Sequence, residues 1–182
     1  ACTHRGGTTV SNGLLRINGA LNESFLTVAA GATAGGTGSV RRGAYVGTGA
    51  SLSPGDGITP AGTLTVSNGL TLAAPAMRFD LSNSPTGAND RIQMQGGLLT
   101  MSGTQSYLFT LLDNGLGAGT YTLISGGTNT AAAGVTQTHN LPTGTRQSFL
   151  VERPPSGNGQ CYVRLVVTGN AAPLVWSGGA DG

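Results

Sequence analysis

The sequence predicts an all-β protein that winds as a β-solenoid. Three observations predict this class. First, an apolar residue followed three positions later by glycine recurs about every 18 to 20 residues, with one longer step, which is typical of a repeating coil. Second, apolar residues alternate before these glycines as they do in half-buried strands. Third, the 182 residues include 32 glycines, a number that is unusual for an ordinary enzyme and that fits a chain with many corners.

Each repeat is explained as a strand that ends in a tight corner. Glycine reaches positive φ without the steric cost of a Cβ, so we expect it at each corner. A coil of about 18 to 20 residues is too short for helical repeats, which need roughly 30 residues or more. It fits two or three short strands with their turns. The predicted corner glycines are Gly13, Gly31, Gly49, Gly69, Gly97 and Gly115. The alternating pairs that favour strands are Leu26 and Val28, Leu64 and Val66, and Ile92 and Met94.

The regular coils are expected from residue 6 to residue 81. The sequence Thr-Val-Ser-Asn-Gly-Leu occurs at residues 9–14 and again at residues 65–70, which we interpret as equivalent positions three coils apart. The one lengthened step is expected to be absorbed by a loop at residues 82–89. Coils with longer strands are then predicted, with strands at residues 107–112 and 120–125.

The C-terminal part is predicted to form a cap. Residues 128–141 are rich in Thr, Ala, Asn and Gly and are predicted to be a connection. Residues 147–153 and 160–168 alternate as two strands around a turn, which predicts an antiparallel hairpin. The predicted organisation is therefore solenoid coils at 1–127, connection and hairpin cap at 128–169, and an extended tail at 170–182.

Composition and charge narrow the functional classes. The net charge is +2 and only 9% of residues are charged, with no basic stripe of the kind that binds nucleic acid. No apolar run is long enough for a transmembrane helix. The Thr-, Ser-, Gly- and Asn-rich surface is common in exported bacterial proteins, so an extracellular or cell-surface location is expected. The abrupt termini suggest a trimmed piece of a longer precursor.

Several segments resemble the autotransporter-type, passenger-associated β-strand repeat family. The segments are residues 6–14, 47–72, 89–94, 119–124, 162–168 and 174–178, so the resemblance extends over most of the chain. It implies a secreted, right-handed parallel β-helix that displays or builds surface structures. It implies no particular activity.

Catalytic chemistry is sparse, and we predict that the protein is not an enzyme. Polysaccharide-cleaving β-helices need clustered carboxylates with a nearby cation. The one cluster here is Asp80 and Asp90 beside Arg78 and Arg91, which we interpret as the salt-bridged base of the 82–89 loop. A catalytic role would require these two carboxylates to converge with an arginine in a groove.

No metal site or cofactor is predicted. Asp56 and Asp113 occur in turn sequences, and His4 and His139 stand alone without further ligands at metal-binding spacing. Both histidines are expected in loops.

The two cysteines are candidates for a disulfide between subunits, provided that the C-terminal hairpin does not fold back along the solenoid. Cys2 precedes the first coil and Cys161 lies in the expected cap. Coils stacked at about 4.8 Å place these ends roughly 25 to 30 Å apart, whereas a disulfide needs Cα atoms within about 7 Å. The apolar tail residues Leu174, Val175 and Trp176 could add to the strand edge of a neighbour or pack on their own subunit.

The leading functional prediction is a structural protein that forms a head-to-tail filament or stalk by self-association. The alternative is an adhesin that binds a surface glycan through an exposed aromatic stripe, with Tyr45, Tyr107 and Tyr121 as candidates. Ice binding would need a repeated Thr-x-Thr array, of which Thr63 and Thr65 are a single instance.

Overall fold

A computed structural model gives the fold of most of the chain. It describes residues 5–55, 61–129, 134–143, 145–153 and 162–169. Within these residues there are only strands and no helix, and the strands form three sheets. The predicted all-β solenoid is confirmed.

The strands follow one another in coils of three. The first coil holds β1 (Thr8–Val10), β2 (Gly13–Arg16) and β3 (Ala20–Leu21), and the second holds β4 (Leu26–Val28), β5 (Ala32–Gly36) and β6 (Ser39–Val40). The third holds β7 (Ala44–Val46), β8 (Ser51–Pro54) and β9 (Thr63–Ser67), and the fourth holds β10 (Leu70–Ala73), β11 (Ala76–Leu81) and β12 (Arg91–Gln95). The fifth holds β13 (Leu98–Ser102), β14 (Thr104–Leu111) and β15 (Gly119–Ser125). The remaining strands are β16 (Thr128–Asn129), β17 (Thr136–His139), β18 (Ser148–Glu152) and β19 (Tyr162–Thr168).

Each sheet takes one strand from every coil. The first sheet runs β1-β4-β7-β10-β13-β16, and the second runs β2-β5-β8-β11-β14-β17. The third runs β3-β6-β9-β12-β15-β19-β18. Neighbouring strands are parallel throughout the coils, and only the two pairings of β19 are antiparallel.

The coils lengthen along the chain, so the near-constant period expected from the sequence is wrong after the third coil begins. The number of residues between register partners in neighbouring strands of the first sheet is the same for the first two pairs and then increases at every pair. The added residues lie between β8 and β9, between β11 and β12, and in the longer β14 with the turn that follows it. The predicted 82–89 loop is the second of these insertions. The paired positions are Thr8, Leu26, Ala44, Leu70, Leu99 and Asn129.

The core is a column of apolar side chains enclosed by the three sheets. The predicted alternating pairs are all buried: Leu26, Val28, Leu64, Val66, Ile92 and Met94. In the wider fourth and fifth coils the core is filled by aromatic rings, and the Phe109 ring lies 6.3 Å from both Phe79 and Tyr107. Larger side chains thus fill the larger coils.

The predicted connection at 128–141 is in part wrong, because it contains β16 and β17, which begin a sixth coil. β17 pairs with β14 although its sequence, Thr-Gln-Thr-His, lacks the apolar alternation that marks a strand. Hydroxyl contacts across the pair, Thr104 to Thr136 at 2.8 Å and Thr138 to Ser106 at 3.2 Å, accompany the backbone pairing.

The C-terminal hairpin cap is confirmed. β18 and β19 pair with each other, and β19 extends the third sheet beyond β15. Phe149 of β18 meets the His139 ring of β17 edge-on at 6.4 Å. The Gln137 amide donates to the Val151 carbonyl at 2.6 Å and accepts from Arg153 Nε at 2.8 Å. β18 therefore lies across the end of the core and closes it.

Candidate functional site: the N-terminal end of the solenoid

All six predicted corner glycines lie at positive φ, five of them between strands and Gly13 as the first residue of β2. Gly13, Gly31 and Gly49 have φ of 76°, 80° and 74° and turn the chain from the first sheet to the second. Gly69 and Gly97, at 110° and 78°, turn it from the third sheet to the first. Residues with a Cβ disfavour positive φ, so glycine is favoured at each of these corners.

The six glycines therefore occupy three different corners. Gly115, with φ of 140°, lies between the second and third sheets. The two Thr-Val-Ser-Asn-Gly-Leu segments are not equivalent positions, since residues 9–14 lead from β1 to β2 whereas residues 65–70 lead from β9 to β10. The motif specifies a strand followed by a turn, and not which corner the turn makes.

The N-terminal end presents three strand edges. β1, β2 and β3 are the terminal strands of their sheets, and no strand in the described part of the chain pairs with their outer edges. Thr8 N–H donates to Phe25 O at 2.8 Å and Ala29 N–H donates to Val10 O at 2.9 Å. In a parallel pair alternate residues face the neighbour, so the N–H and C=O of Thr9 point toward the outer edge.

Apolar side chains at this end are incompletely covered. Val10, Leu15 and Leu21 pack on the core but remain only partly buried. Leu14, the register partner of Thr33 on the outer face of the second sheet, is 55% exposed. The corresponding positions in the second coil are covered on both sides, as at Val28. The first coil thus leaves a small apolar cross-section bordered by strand edges with which no described strand pairs, and open edges of this kind readily accept another strand.

The Asp90 carboxylate is buried and bound to backbone groups, which is typical of a residue that supports the fold and not of a catalytic acid or base. The residue is 2% exposed. Its Oδ1 accepts the Gly62 N–H at 2.6 Å, and its Oδ2 accepts the Asp80 N–H at 3.0 Å. Its own N–H donates to Asp80 O at 2.9 Å. The Asp90 carboxylate ties the third coil to the base of the 82–89 loop through backbone N–H groups, which confirms the loop-base part of the interpretation.

The arginines of the same cluster point to other partners. Arg91 is exposed, and its Nε donates to Thr63 Oγ1 at 2.8 Å. Arg78 is exposed on β11. Arg91 lines a groove of about 380 Å³ between the third sheet and the 82–89 loop, together with Thr63, Asn89 and Thr122. Asp80 and Asp90 are not among the residues that line this groove.

The predicted aromatic stripe is wrong for two of its three tyrosines. Tyr107 and Tyr121 are fully buried, and only Tyr45 is exposed, at 39%. Both buried rings point inward because the alternation of β14 and β15 places them on the core face. Burial raises the pKa of the Tyr121 phenol, whose hydroxyl donates to Gly117 O at 3.2 Å.

Two turn and loop predictions have different outcomes. Asp113 lies in a turn, where its carboxylate accepts the Asn83 N–H at 2.8 Å and so joins this turn to the 82–89 loop. His139 is the last residue of β17, so its predicted loop position is wrong. Thr63 and Thr65 pair with Arg91 and Gln93 of the next coil, which are not threonines, and the Thr-x-Thr array does not continue there.

Other predicted residues lie outside the described residues. They are the disulfide candidates Cys2 and Cys161, the tail residues Leu174, Val175 and Trp176, and also His4 and Asp56. The disulfide and the packing of the tail therefore stay predictions.

Sequence reasoning missed a polar groove of about 440 Å³ at the corner between the third and first sheets. It is lined by Asn22, Arg41, Arg42, Ser67, Asn68 and Gln95. The adjacent arginines at 41 and 42 are the only sign of this groove in the sequence. Its other lining residues come from different coils and are brought together only by the register of the strands.

Among the residues that the structure describes, no three His, Cys, Asp or Glu side chains lie close enough together to hold a metal ion. In the same part of the chain, no helix has the length and apolar character needed to cross a membrane. Comparison with protein-family models finds no match to this chain, and comparison with curated proteins finds none either.

Proposed function

We propose that the protein is a structural β-solenoid of the cell surface or extracellular matrix, and that its N-terminal end joins the C-terminal end of a second copy to build a filament or stalk. The observation that carries this proposal is the pair of unlike ends. One end is closed by the β18–β19 hairpin, whereas the other exposes three strand edges and partly covered apolar side chains. Unlike ends that join head to tail form an open, repeating assembly.

Strand lengths at the two ends support a second copy as the partner. β2 contains 4 residues, and the terminal strand of the same sheet at the other end, β17, also contains 4. The strands β1, β2, β16 and β17 all belong to parallel sheets. The first and second sheets could therefore continue across a junction without a change in strand direction.

The resemblance to autotransporter passenger repeats also supports a secreted structural role. The glycan-binding alternative is favoured by a different surface, which includes Tyr45 and the groove at Arg41. That surface does not include the outer strand edges of the N-terminal end, so the two roles are compatible in one molecule.

Self-association can be tested by sedimentation velocity across a concentration series, with electron microscopy of the largest species. We expect the wild-type protein to form open-ended oligomers that grow with concentration. Thr9→Pro removes an edge N–H that does not serve the β1–β4 pairing, and Leu14→Asp places a charge on the exposed apolar side chain. Both variants are expected to shift the distribution toward monomer, with an unchanged circular dichroism spectrum.

Leu112→Asp is the matched control, since Leu112 is similarly apolar, is 36% exposed and lies far from the N-terminal end. It should leave the oligomer distribution unchanged. A wild-type protein that stays monomeric at all concentrations contradicts the proposal, as does an equal effect of Leu112→Asp and Leu14→Asp. Electrophoresis without reductant tests the covalent form, in which Cys2 of one copy joins Cys161 of the next and gives a ladder of multimers.

A further inference from the structure

The outer face of the first sheet carries two columns of side chains. In one column Thr9, Thr27, Tyr45, Thr71 and Thr100 are successive register partners. Because residues alternate between the two faces of a strand, the residue two positions earlier in each coil also faces outward. This second column includes Phe25, Gly43, Gly69 and Leu98.

Two aromatic rings are exposed on this face, and each lies against a glycine. Phe25 is 45% and Tyr45 39% exposed. A Cβ on Gly43 would lie 3.2 Å from Cε2 of Phe25, and a Cβ on Gly47 would lie 3.4 Å from Cε1 of Tyr45. The rings thus rest on backbone that has no side chain. From the register and about 4.8 Å between strands, the two Cα atoms are roughly 8 Å apart. We call Phe25 and Tyr45 the aromatic face.

The polar groove at the neighbouring corner borders the aromatic face. Arg42 directly precedes Gly43, and the Asn68 carbonyl oxygen would lie 3.3 Å from a Cβ on Gly43, on the same glycine that Phe25 covers. We call the six residues that line this groove, given above, the arginine groove. Its volume of about 440 Å³ is within the range of small-molecule sites, roughly 300 to 1,000 Å³.

The charge of the arginine groove favours an anion. Arg42 pairs with Glu23 at 2.6 Å, and both side chains are exposed. Arg41 is exposed and forms no ion pair with another described residue. The groove therefore contains two arginines, of which only Arg42 pairs with a described carboxylate, and this leaves a net positive charge. The amides of Asn68 and Gln95 add hydrogen-bonding groups, although Asn68 Nδ2 already donates to Arg41 O at 2.8 Å.

We propose that the arginine groove and the aromatic face together bind an acidic polysaccharide. The Arg41 guanidinium would pair with a carboxylate or sulfate of the glycan, as its planar fork allows. Tyr45 and Phe25 would pack against the apolar faces of neighbouring sugar rings. Because the two columns continue from coil to coil, an extended glycan is a better fit than a single small sugar.

The binding can be measured by isothermal titration calorimetry on the full chain at low ionic strength. The probes are heparin for sulfate, polygalacturonate for carboxylate and dextran as the neutral polymer. We expect at least one acidic polymer to bind, dextran not to bind, and affinity to fall as salt is added. Arg41→Gln should weaken binding by about tenfold or more, the loss typical of a charged hydrogen bond.

Tyr45→Thr is the second test, because Thr27 and Thr71 show that threonine fits this column. It should weaken binding roughly three- to tenfold, a typical loss for an aromatic contact. The controls are Arg78→Gln and Leu150→Thr, which remove an exposed arginine and an exposed apolar side chain elsewhere. Both should bind as the wild type does. Failure of heparin and polygalacturonate to bind overturns the proposal. So does an equal loss with Arg78→Gln, which would indicate attraction by net charge alone.

Discussion

Replacement of Asp90 by alanine should destabilise the protein strongly, although this residue lies in the cluster with the most catalytic character. The carboxylate accepts the backbone N–H groups of Gly62 and Asp80 at 2.6 and 3.0 Å. Hydrogen bonds to a charged group contribute about 1.5 to 3 kcal/mol each, and buried donors left without an acceptor incur a comparable penalty. The Gly62 segment is only half-buried, so water can replace part of what is lost there. We therefore expect loss of the two bonds to lower the free energy of unfolding by about 3 to 5 kcal/mol.

A loss of this size is a large fraction of the roughly 5 to 15 kcal/mol by which a typical domain is stable. With a urea dependence of about 2 to 3 kcal/mol per molar, the midpoint of urea unfolding should fall by roughly 1 to 2.5 M. Far-ultraviolet circular dichroism, which reports strand content, measures it. Asp90→Asn should lie between alanine and wild type, since the amide keeps one acceptor oxygen.

Asp113→Ala is the matched control for Asp90. Asp113 also accepts a backbone N–H, that of Asn83 at 2.8 Å, but it is exposed, so water can replace the lost acceptor and the cost should be under about 1 kcal/mol. The reasoning is refuted if Asp90→Ala unfolds at the same urea concentration as Asp113→Ala. In that case the Asp90 carboxylate would be available for a role other than support of the loop.

Two further perturbations test the close packing of the coils and the burial of Tyr121. A Cβ on Gly35 would lie 2.0 Å from the Ser53 carbonyl oxygen, so Gly35→Ala should lower the free energy of unfolding in urea by about 1 to 3 kcal/mol or more. Gly19→Ala should be nearly neutral, because a Cβ on Gly19 would have nothing within 4 Å. Equal effects of the two substitutions would contradict the packing argument. Burial raises the pKa of Tyr121 above its value in the unfolded chain, so the stability linked to this phenol is complete below about pH 10 and is lost as pH rises further. Urea midpoints between pH 8 and pH 11 should therefore fall less steeply for Tyr121→Phe than for the wild type, and parallel curves would exclude this linkage.

The sequence predicts the strands and corners well because both depend on local features. An apolar pair such as Leu64 and Val66 needs only its own alternation to show that it faces a core, and both are buried. A glycine after Val-Ser-Asn indicates a turn for the same reason. These local features are sufficient for the fold class, since parallel stacking is the usual way for such short, repeated strands to bury one face.

The assignment of strands to sheets is beyond the sequence because it depends on the lengths of the insertions. The step along the chain from Ala44 to Leu70 is longer than the step from Leu26 to Ala44, although each joins neighbouring strands of the first sheet. This addition changes the corner at which the next Val-Ser-Asn-Gly segment turns. A constant period therefore places Val46 and Val66 on equivalent strands, although they lie on the first and third sheets.

The same insertions hide the arginine groove. Its members Asn22, Arg41, Ser67 and Gln95 each directly follow a strand residue of the third sheet, namely Leu21, Val40, Val66 and Met94 in successive register. The steps between these members lengthen from one coil to the next, so no fixed period connects them. Tyr107 and Tyr121 are misplaced by the sequence for a related reason, since strands in the wide coils have room for large side chains on the core face.

The widening of the coils limits how copies could join. The chain takes a much shorter path from Thr8 to Leu26 than from Leu99 to Asn129, so the first coil cannot match the whole outline of the fifth. The third sheet ends in an antiparallel hairpin whose outer strand, β18, has 5 residues against 2 in β3. The first and second sheets are parallel at both ends, and β2 and β17 contain 4 residues each, so these are the two sheets that could continue between copies. A junction of this kind would leave the third sheet interrupted by one hairpin per subunit. The assembly would then carry a repeat as long as one solenoid, with the arginine groove and the aromatic face present once in every copy along its side.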